Sequence, residues 1–203
     1  IFDDCDFDTM LSTTMRSSFA NQGQICLCGS RIFVQKGIYD RFKKAFVEKT
    51  NKAKVSFPSD PKAHLGALVS KQHIDKVMSY VELAKKEGGQ VIAGGERVSL
   101  PAPYDKGYYM RPTIIEGLDY NCRTNQEEIF GPVVTLTPFE KEEDVLEMAN
   151  STQYGLSATV WTNDLKKAHR MANAIEAGIV WVNDWLVRDL RTPFGGVKSS
   201  GVG

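Results

Sequence analysis

Apolar residues recur at helical spacing along several segments of the chain. Met10, Leu11, Met15 and Phe19 lie on one side of a helix predicted over 8–20, and Gly23 follows its end. The same periodicity among charged residues predicts further amphipathic helices at 38–55, 73–89, 141–151 and 164–178.

Short segments rich in β-branched and aromatic residues separate these helices. They predict strands at 31–35, 90–95, 132–139, 156–162 and 178–183. Because strands that alternate with helices form βαβ units, we predict an α/β fold: an open, largely parallel twisted sheet with helices on both faces. We expect one domain over residues 1–203, with the Pro-rich stretches 57–66 and 99–112 as surface connections.

The composition is that of an ordinary soluble protein, with 42% hydrophobic and 25% charged residues among 203. The 25 basic residues are balanced by 25 acidic ones, so no net positive charge attracts a nucleic acid. No apolar run reaches the roughly 18 to 20 residues that a membrane-spanning helix needs, and the N-terminus has no signal-peptide pattern. We therefore predict a cytoplasmic protein with neither nucleic-acid nor membrane partners.

The chain carries four cysteines, Cys5, Cys26, Cys28 and Cys122. They are too scattered for a disulfide framework, and Cys26 and Cys28 lie too close together for a Cys-x2-4-Cys ligand pair, so we predict reduced thiols and no metal. Cys26 follows a helix end within a Gly-containing turn, where backbone N–H groups favour a reactive thiolate. The alternative is that Cys26 is a small buried hydrophobic residue.

Four ordered motifs carry a family resemblance. They are FANQGQICLCGSR (19–31), QEEIFGPV (126–133), NSTQYGLSATV (150–160) and TPFGGVKSSGVG (192–203). The first resembles the cysteine signature F-x-N-x-G-Q-x-C of the aldehyde dehydrogenase superfamily, and the others are similar to its E-E-I-F-G-P, N-x-x-x-Y-G-L-x-A and P-F-G-G-x-K-x-S-G motifs. The segments GYYMRPTI and GIVWVND also fit in the same order, so the resemblance covers nearly the whole chain.

The resemblance implies specific roles for three residues. Cys26 is the nucleophile that attacks an aldehyde carbonyl to form a thiohemiacetal and then a thioester, and its backbone N–H is a candidate oxyanion donor. Glu128 corresponds to the family residue that holds the ribose hydroxyls of the nicotinamide cofactor, NAD or NADP, and Phe130 to the aromatic that packs beside that ribose. Gly23 and Gln24 are interpreted as loop geometry.

Other parts of the family pattern are not found in these 203 residues. They are the E-L-G-G-K segment with the general base, the oxyanion-hole asparagine, the dinucleotide-binding domain and the C-terminal arm. We therefore expect the catalytic domain alone, with negligible dehydrogenase turnover and no tightly bound NAD. The full-length form is expected to be a homo-oligomer, a dimer or a tetramer.

The segment before P-F-G-G supplies the candidate substrate residues. Arg188 and Arg191 offer planar cationic groups for a carboxylate, and Trp185 and Phe194 are candidates for an apolar tunnel wall. This segment resembles the branch of the family that oxidises carboxylate-bearing semialdehydes such as 2-aminomuconate semialdehyde. The alternative is that the two arginines pair with neighbouring aspartates on the surface.

Three other functions remain open at this point. Cys26 could act with His64 or His73 in a hydrolase or acyl-transferase, although neither histidine lies in a recognisable motif. The chain could instead be a non-catalytic interaction module. A CoA-acylating member of the same superfamily is a third possibility.

Overall fold

The computed structural model describes residues 1–202. Its α-helices are α1 (Phe7–Phe19), α2 (Lys36–Lys52), α3 (Lys71–Lys86), α4 (Arg123–Gln126), α5 (Glu142–Asn150) and α6 (Leu165–Ala174). Its strands are β1 (Arg31–Gln35), β2 (Gln90–Ala93), β3 (Arg97–Val98), β4 (Tyr109–Met110), β5 (Thr113–Glu116), β6 (Val133–Phe139), β7 (Tyr154–Gly155), β8 (Ser157–Val160), β9 (Ile179–Val182) and β10 (Val197–Lys198). Over that range no helix has the length and apolarity needed to cross a lipid bilayer.

Three helices begin at a side chain that caps their first turn. Asp6 accepts from the Thr9 N–H at the start of α1, and Ser70 accepts from the His73 N–H at the start of α3. Asp164 does the same at the start of α6. Because the first N–H groups of a helix have no partner within it, these caps fix where each helix starts.

The main sheet has four strands in the order β1, β6, β5, β2. Strand β6 runs parallel to both of its neighbours, with Thr135 opposite Arg31 on one side and Ile115 on the other. Strand β2 runs antiparallel to β5 at the edge. Strands β8 and β9 form a second, parallel pair.

The first two residues join the main sheet to the β8–β9 pair. The Ile1 nitrogen donates to the Phe33 carbonyl oxygen at 2.8 Å, and the Ile1 carbonyl oxygen accepts from the Gln35 N–H at 2.9 Å. On the other side, the Phe2 N–H donates to the Trp161 carbonyl oxygen at 2.9 Å. The extended Ile1–Phe2 segment therefore lies between β1 and the end of β8 like a strand of one continuous sheet.

Both faces of the main sheet are covered by helices. Ile114 of β5 and Val134 of β6 belong to the core beneath α1 and α2, whereas the adjacent Ile115 and Val133 belong to the core beneath α3. Such double burial is typical of parallel sheets, and it explains why β6 reads as a nearly continuous apolar run.

These observations confirm the predicted α/β class, the largely parallel open sheet and the helices on both faces. Two details of the prediction were wrong. Strand β2 runs antiparallel to β5, which follows it after β3 and β4 with no intervening helix, and the four β5 residues Thr113–Glu116 were not predicted as a strand. The stretch 99–112 is not all surface, since Tyr109 and Met110 are buried strand residues.

Candidate active site

The chain that follows α1 makes a tight left-handed turn before it reaches Cys26. Asn21, Gln22 and Gly23 have φ angles of 47°, 59° and 69° in succession. The Gln24 N–H donates to the Asn21 carbonyl oxygen at 3.0 Å, and the Asn21 side-chain amide donates to the Gln24 carbonyl oxygen at 3.1 Å. The turn belongs to residues 20–30, the cysteine loop, which connects α1 to β1.

Gly23 lets this turn lie directly against a second loop. A Cβ atom built on Gly23 would be 2.1 Å from the carbonyl oxygen of Gly131, far inside van der Waals contact. Only a residue without a side chain allows that approach, and glycine also adopts the positive φ at no steric cost. Gly23 therefore places the cysteine loop flush against the Glu127–Pro132 segment.

Cys26 occupies an exposed β-turn. The Cys28 N–H donates to the Ile25 carbonyl oxygen at 2.9 Å, which closes the turn and leaves Cys26 at its first central position. Within residues 1–202 the Cys26 N–H donates to no acceptor. A free amide beside an exposed sulfur is the arrangement that an oxyanion donor requires.

The other three thiols are less reactive for a physical reason. Burial raises the pKa of Cys28 to about 11, and it also raises the pKa of Cys5 and of Cys122. Because the thiolate is the nucleophile, a raised pKa lowers the fraction of each group that is reactive at neutral pH. Cys26 is the exposed thiol among the four.

Helix α3 holds the backbone of the Glu127–Pro132 segment. The Lys76 ammonium donates to the carbonyl oxygen of Glu128 at 2.9 Å. The His73 Nε2 atom is 2.6 Å from the carbonyl oxygen of Phe130, which can only accept, so this nitrogen carries the proton. Phe130 has a φ of 60°, a left-handed conformation that this hydrogen bond helps to hold.

A third α3 side chain binds the first carboxylate of the segment. Tyr80 donates its hydroxyl to Glu127 at 2.6 Å, and the Arg123 guanidinium grips the same carboxylate with two N–H groups, at 2.7 and 3.0 Å. The Arg123 hydrogen bonds lower the pKa of Glu127 to about 2, and the Glu127 carboxylate raises the pKa of Tyr80 to about 12. Both oxygens of the Glu127 carboxylate are therefore occupied by hydrogen bonds from the protein, so we assign Glu127 a structural role.

Glu128 is free and shares a cavity with Cys26. Its side chain is exposed, and no group within residues 1–202 hydrogen-bonds to its carboxylate. Cys26, Glu128 and Trp185 all line one cavity of about 520 Å³. Phe130 does not line it, because its ring turns towards His73, with centroids 6.2 Å apart.

Trp185 joins the loop between β9 and β10 to the cysteine loop. It is 3% exposed, and its indole N–H donates to the Leu27 carbonyl oxygen at 2.9 Å. Arg16 of α1 donates to the Trp185 carbonyl oxygen at 3.2 Å and lies over its ring. The residue next to Cys26 is therefore braced against the segment predicted to bind substrate.

The two candidate arginines differ in their environment. Arg191 forms a bidentate pair with Asp189, and its side chain is 90% exposed. Arg188 forms no ion pair within residues 1–202, and its guanidinium lies 4.5 Å from the centroid of the Phe194 ring. Neither arginine lines the Cys26 cavity, nor does Phe194. Of the four predicted substrate residues, the structure brings only Trp185 to the cavity wall.

Neither histidine of the hydrolase alternative faces Cys26. The His64 Nδ1 atom accepts from the Lys54 N–H at 3.1 Å, His73 binds the Phe130 carbonyl, and neither lines the cavity. No group of three His, Cys, Asp or Glu residues within 1–202 is placed to hold a metal ion.

Comparison with known proteins decides the family. The sequence profile of the aldehyde dehydrogenase family matches residues 1–203. The chain belongs to the aldehyde dehydrogenase family. This confirms the resemblance carried by the four motifs.

Similar aldehyde dehydrogenases include several that act on semialdehydes. The 2-aminomuconic semialdehyde dehydrogenase of Mus musculus is 52% identical over the whole of this chain, and that of a Pseudomonas species is 47% identical. The 2-hydroxymuconic semialdehyde dehydrogenase of Pseudomonas sp. (strain CF600) is 46% identical. The chain spans only 41–42% of the length of these relatives.

Solved aldehyde dehydrogenase structures superpose closely. Betaine aldehyde dehydrogenase from Staphylococcus aureus, in complex with NAD+ and with a β-mercaptoethanol-modified cysteine, gives a TM-score of 0.95 at 38% identity. The aldehyde dehydrogenase from Bacillus cereus gives 0.94 at 40% identity. Each match covers all of this chain and about 40% of the other chain.

The polar face of α3 that holds the aldehyde dehydrogenase E-E-I-F-G-P motif was not predicted from the sequence. His73, Lys76 and Tyr80 lie at i, i+3 and i+7, so they share one side of the helix with the buried Val77. Long polar side chains on a helix face that is also partly apolar are a signal for contact with another segment. The partner segment, 47 to 57 residues further along the chain, gives no such signal.

The Tyr80–Glu127 contact predicts a pH-dependent signal. At about pH 11 an ordinary tyrosine, with a pKa of about 10, is mostly ionised, whereas Tyr80 remains protonated. Glu127→Gln removes the negative charge, so the pKa of Tyr80 falls and its phenolate forms at that pH. The measurement is phenolate absorbance, taken as the difference between each protein and its Tyr80→Phe derivative.

Glu128→Gln is the matched control for this titration, since the Glu128 carboxylate does not contact Tyr80. It should leave the Tyr80 signal unchanged. Equal titration of Tyr80 in the parent and in Glu127→Gln would contradict the assignment.

Proposed function

We propose that this chain is the catalytic domain of an NAD(P)-dependent aldehyde dehydrogenase that oxidises a carboxylate-bearing semialdehyde to the acid, with Cys26 as the nucleophile. The observation that carries the proposal is the cavity shared by the exposed Cys26 sulfur and the free Glu128 carboxylate. Family membership and the semialdehyde dehydrogenases among the similar proteins support it.

The reaction begins at the Cys26 sulfur. The thiolate attacks the aldehyde carbon, the C–S bond forms, and the carbonyl π electrons move to oxygen to give a thiohemiacetal. The free N–H of Cys26 donates to that oxygen, and one such donor is worth about 3 to 4 kcal/mol in the transition state. The buried Trp185 donates to the carbonyl of the adjacent Leu27 and so helps to fix the positions of the Cys26 sulfur and N–H relative to each other.

Glu128 is the residue that would hold the cofactor ribose. Its free carboxylate can accept hydrogen bonds from two hydroxyl groups, while Lys76 fixes its backbone. A nicotinamide cofactor bound there would supply the acceptor for the hydride of the adduct carbon, and the Cys26 adduct would then be a thioester that water can hydrolyse. Because the chain spans 42% of the mouse relative, we propose that the 203 residues alone form NADH at a negligible rate and bind NAD weakly.

Arg188 is our candidate for the substrate carboxylate. It does not line the Cys26 cavity, but it lies three residues after Trp185, forms no ion pair within residues 1–202 and has its guanidinium over the Phe194 ring, and a carboxylate is its natural bidentate partner. Phe194 contributes the ring that the Arg188 guanidinium lies over. The Arg191 guanidinium already pairs with the Asp189 carboxylate, so we propose a structural role for Arg191.

The protein is proposed to act as a homo-oligomer in the cytoplasm. Four free cysteines agree with a reducing compartment.

Selective acylation tests the nucleophile. We expect 4-nitrophenyl acetate to transfer its acetyl group to Cys26, with release of 4-nitrophenolate, because this thiol is exposed and the other three have raised pKa values. Peptide mass mapping locates the acetyl group, and nitrophenolate absorbance gives the rate.

Cys26→Ser should abolish fast acylation, whereas Cys28→Ser should leave the rate within about twofold. Acetyl transfer to Cys28 in preference to Cys26, or no transfer at all, would overturn the proposed nucleophile.

The carboxylate site is tested with a matched pair of esters and a matched pair of arginines. Mono-4-nitrophenyl glutarate carries a distal carboxylate that 4-nitrophenyl butyrate lacks. Arg188→Gln should slow acylation of Cys26 by the acidic ester about tenfold or more, the value of one charged hydrogen bond, and leave the neutral ester unchanged. Arg191→Gln should affect neither ester. Equal losses for both esters, or a larger loss in Arg191→Gln, would remove Arg188 from the site.

A further inference from the structure

We propose that Gln22 is a positioning residue for Cys26, acting through a clamp between its side-chain amide and the Gly66–Ala67 backbone. The proposal rests on the proposed role of Cys26 as the nucleophile. It assigns a function in the reaction to the segment 66–69, which lies outside the four family motifs.

The Gln22 amide pairs with the distant segment as a peptide group would. Its Oε1 atom accepts from the Gly66 N–H at 3.1 Å, and its Nε2 atom donates to the Ala67 carbonyl oxygen at 3.2 Å. Gln24 adds a third bond, since its Oε1 atom accepts from the Val69 N–H at 3.1 Å. Both glutamines thus tie the cysteine loop to one short stretch of chain more than 40 residues away.

The backbone at Gln22 is in a conformation that its residue type disfavours. A left-handed residue other than glycine costs about 1 to 2 kcal/mol, and only Asn, Asp and Gly tolerate it readily. If position 22 served only to make the turn, glycine would suit it better. The two hydrogen bonds of the glutamine side chain offset that cost, and the shorter asparagine would reach the same partners less well.

The clamp acts on Cys26 because it fixes one side of the loop while Gly131 fixes the other. Gly23 is pressed against Gly131, Gln22 holds Gly66 and Ala67, and the turn that carries Cys26 begins at Ile25, two residues after Gly23. Loss of the clamp lets the loop shift relative to the cavity. A displacement of about 1 Å at a reacting group can cost up to about a hundredfold in rate.

Gln22→Met is the principal test, because methionine keeps the length of the side chain and removes both hydrogen bonds. We expect acylation of Cys26 by 4-nitrophenyl acetate to slow about tenfold, since the sulfur and the Cys26 N–H must both be aligned on the ester carbonyl. Alkylation by iodoacetamide, which needs only an exposed thiolate, should change less than about twofold. Faster hydrogen exchange at the Gly66 amide reports loss of the clamp directly.

Gln22→Gly separates the clamp from turn strain. It relieves the backbone and removes the amide, so the clamp predicts slower acylation, whereas a turn-forming role predicts an unchanged or faster reaction. Gln72→Ala, on the exposed side of α3, is the control and should match the parent in every assay. If one Gln22 variant is poorly folded, the acylation rate of the other variant tests the clamp.

The outcomes separate this proposal from the one on which it rests. A parent that is not acylated at Cys26 overturns both. A parent that is acylated at Cys26, together with Gln22→Met and Gln22→Gly variants that are acylated equally fast, overturns the clamp and leaves the nucleophile in place. Parallel loss of acylation and alkylation also overturns it, because that result indicates a change in thiol exposure.

Discussion

The candidate site depends on one backbone contact, the approach of Gly23 to the carbonyl of Gly131. A side chain at position 23 would overlap that carbonyl, so the two loops can meet only where glycine stands. The contact joins the loop that carries the thiol to the segment that carries Glu128. Without it, the sulfur and the candidate ribose-binding carboxylate would have no fixed relation to each other.

The surrounding structure keeps that contact in place from several directions. Helix α3 holds Glu127, Glu128 and Phe130 through one polar face, and Val77 of the same helix packs on Gly131. On the other side the Trp185 indole binds the carbonyl next to Cys26. The doubly covered sheet supplies rigid elements on which these loops are mounted, so the hydrogen bonds of the site are set by the fold before any ligand arrives.

The sequence was a good guide to features that are local. Periodicity predicted the five longer helices and the strands they alternate with, and the motifs singled out Cys26 and Glu128, which line one cavity. It was a poor guide where contacts between distant segments determine the structure. No helix separates β5 from β2, so the alternation of strands and helices gives no signal for β5, and the direction of β2 follows from its pairing with that strand. Likewise, nothing local to Gln22 reveals that its amide binds Gly66.

The most direct measurement compares Gly23→Ala with Gly117→Ala. Both glycines have positive φ, but a Cβ at Gly117 has no neighbour closer than 3.9 Å. We predict that Gly23→Ala lowers the free energy of unfolding by about 2 kcal/mol more than Gly117→Ala does, and that it alone slows acylation of Cys26 about tenfold. Equal stability losses with unchanged acylation in both variants would contradict the claim that the Gly23–Gly131 contact holds the thiol in its cavity.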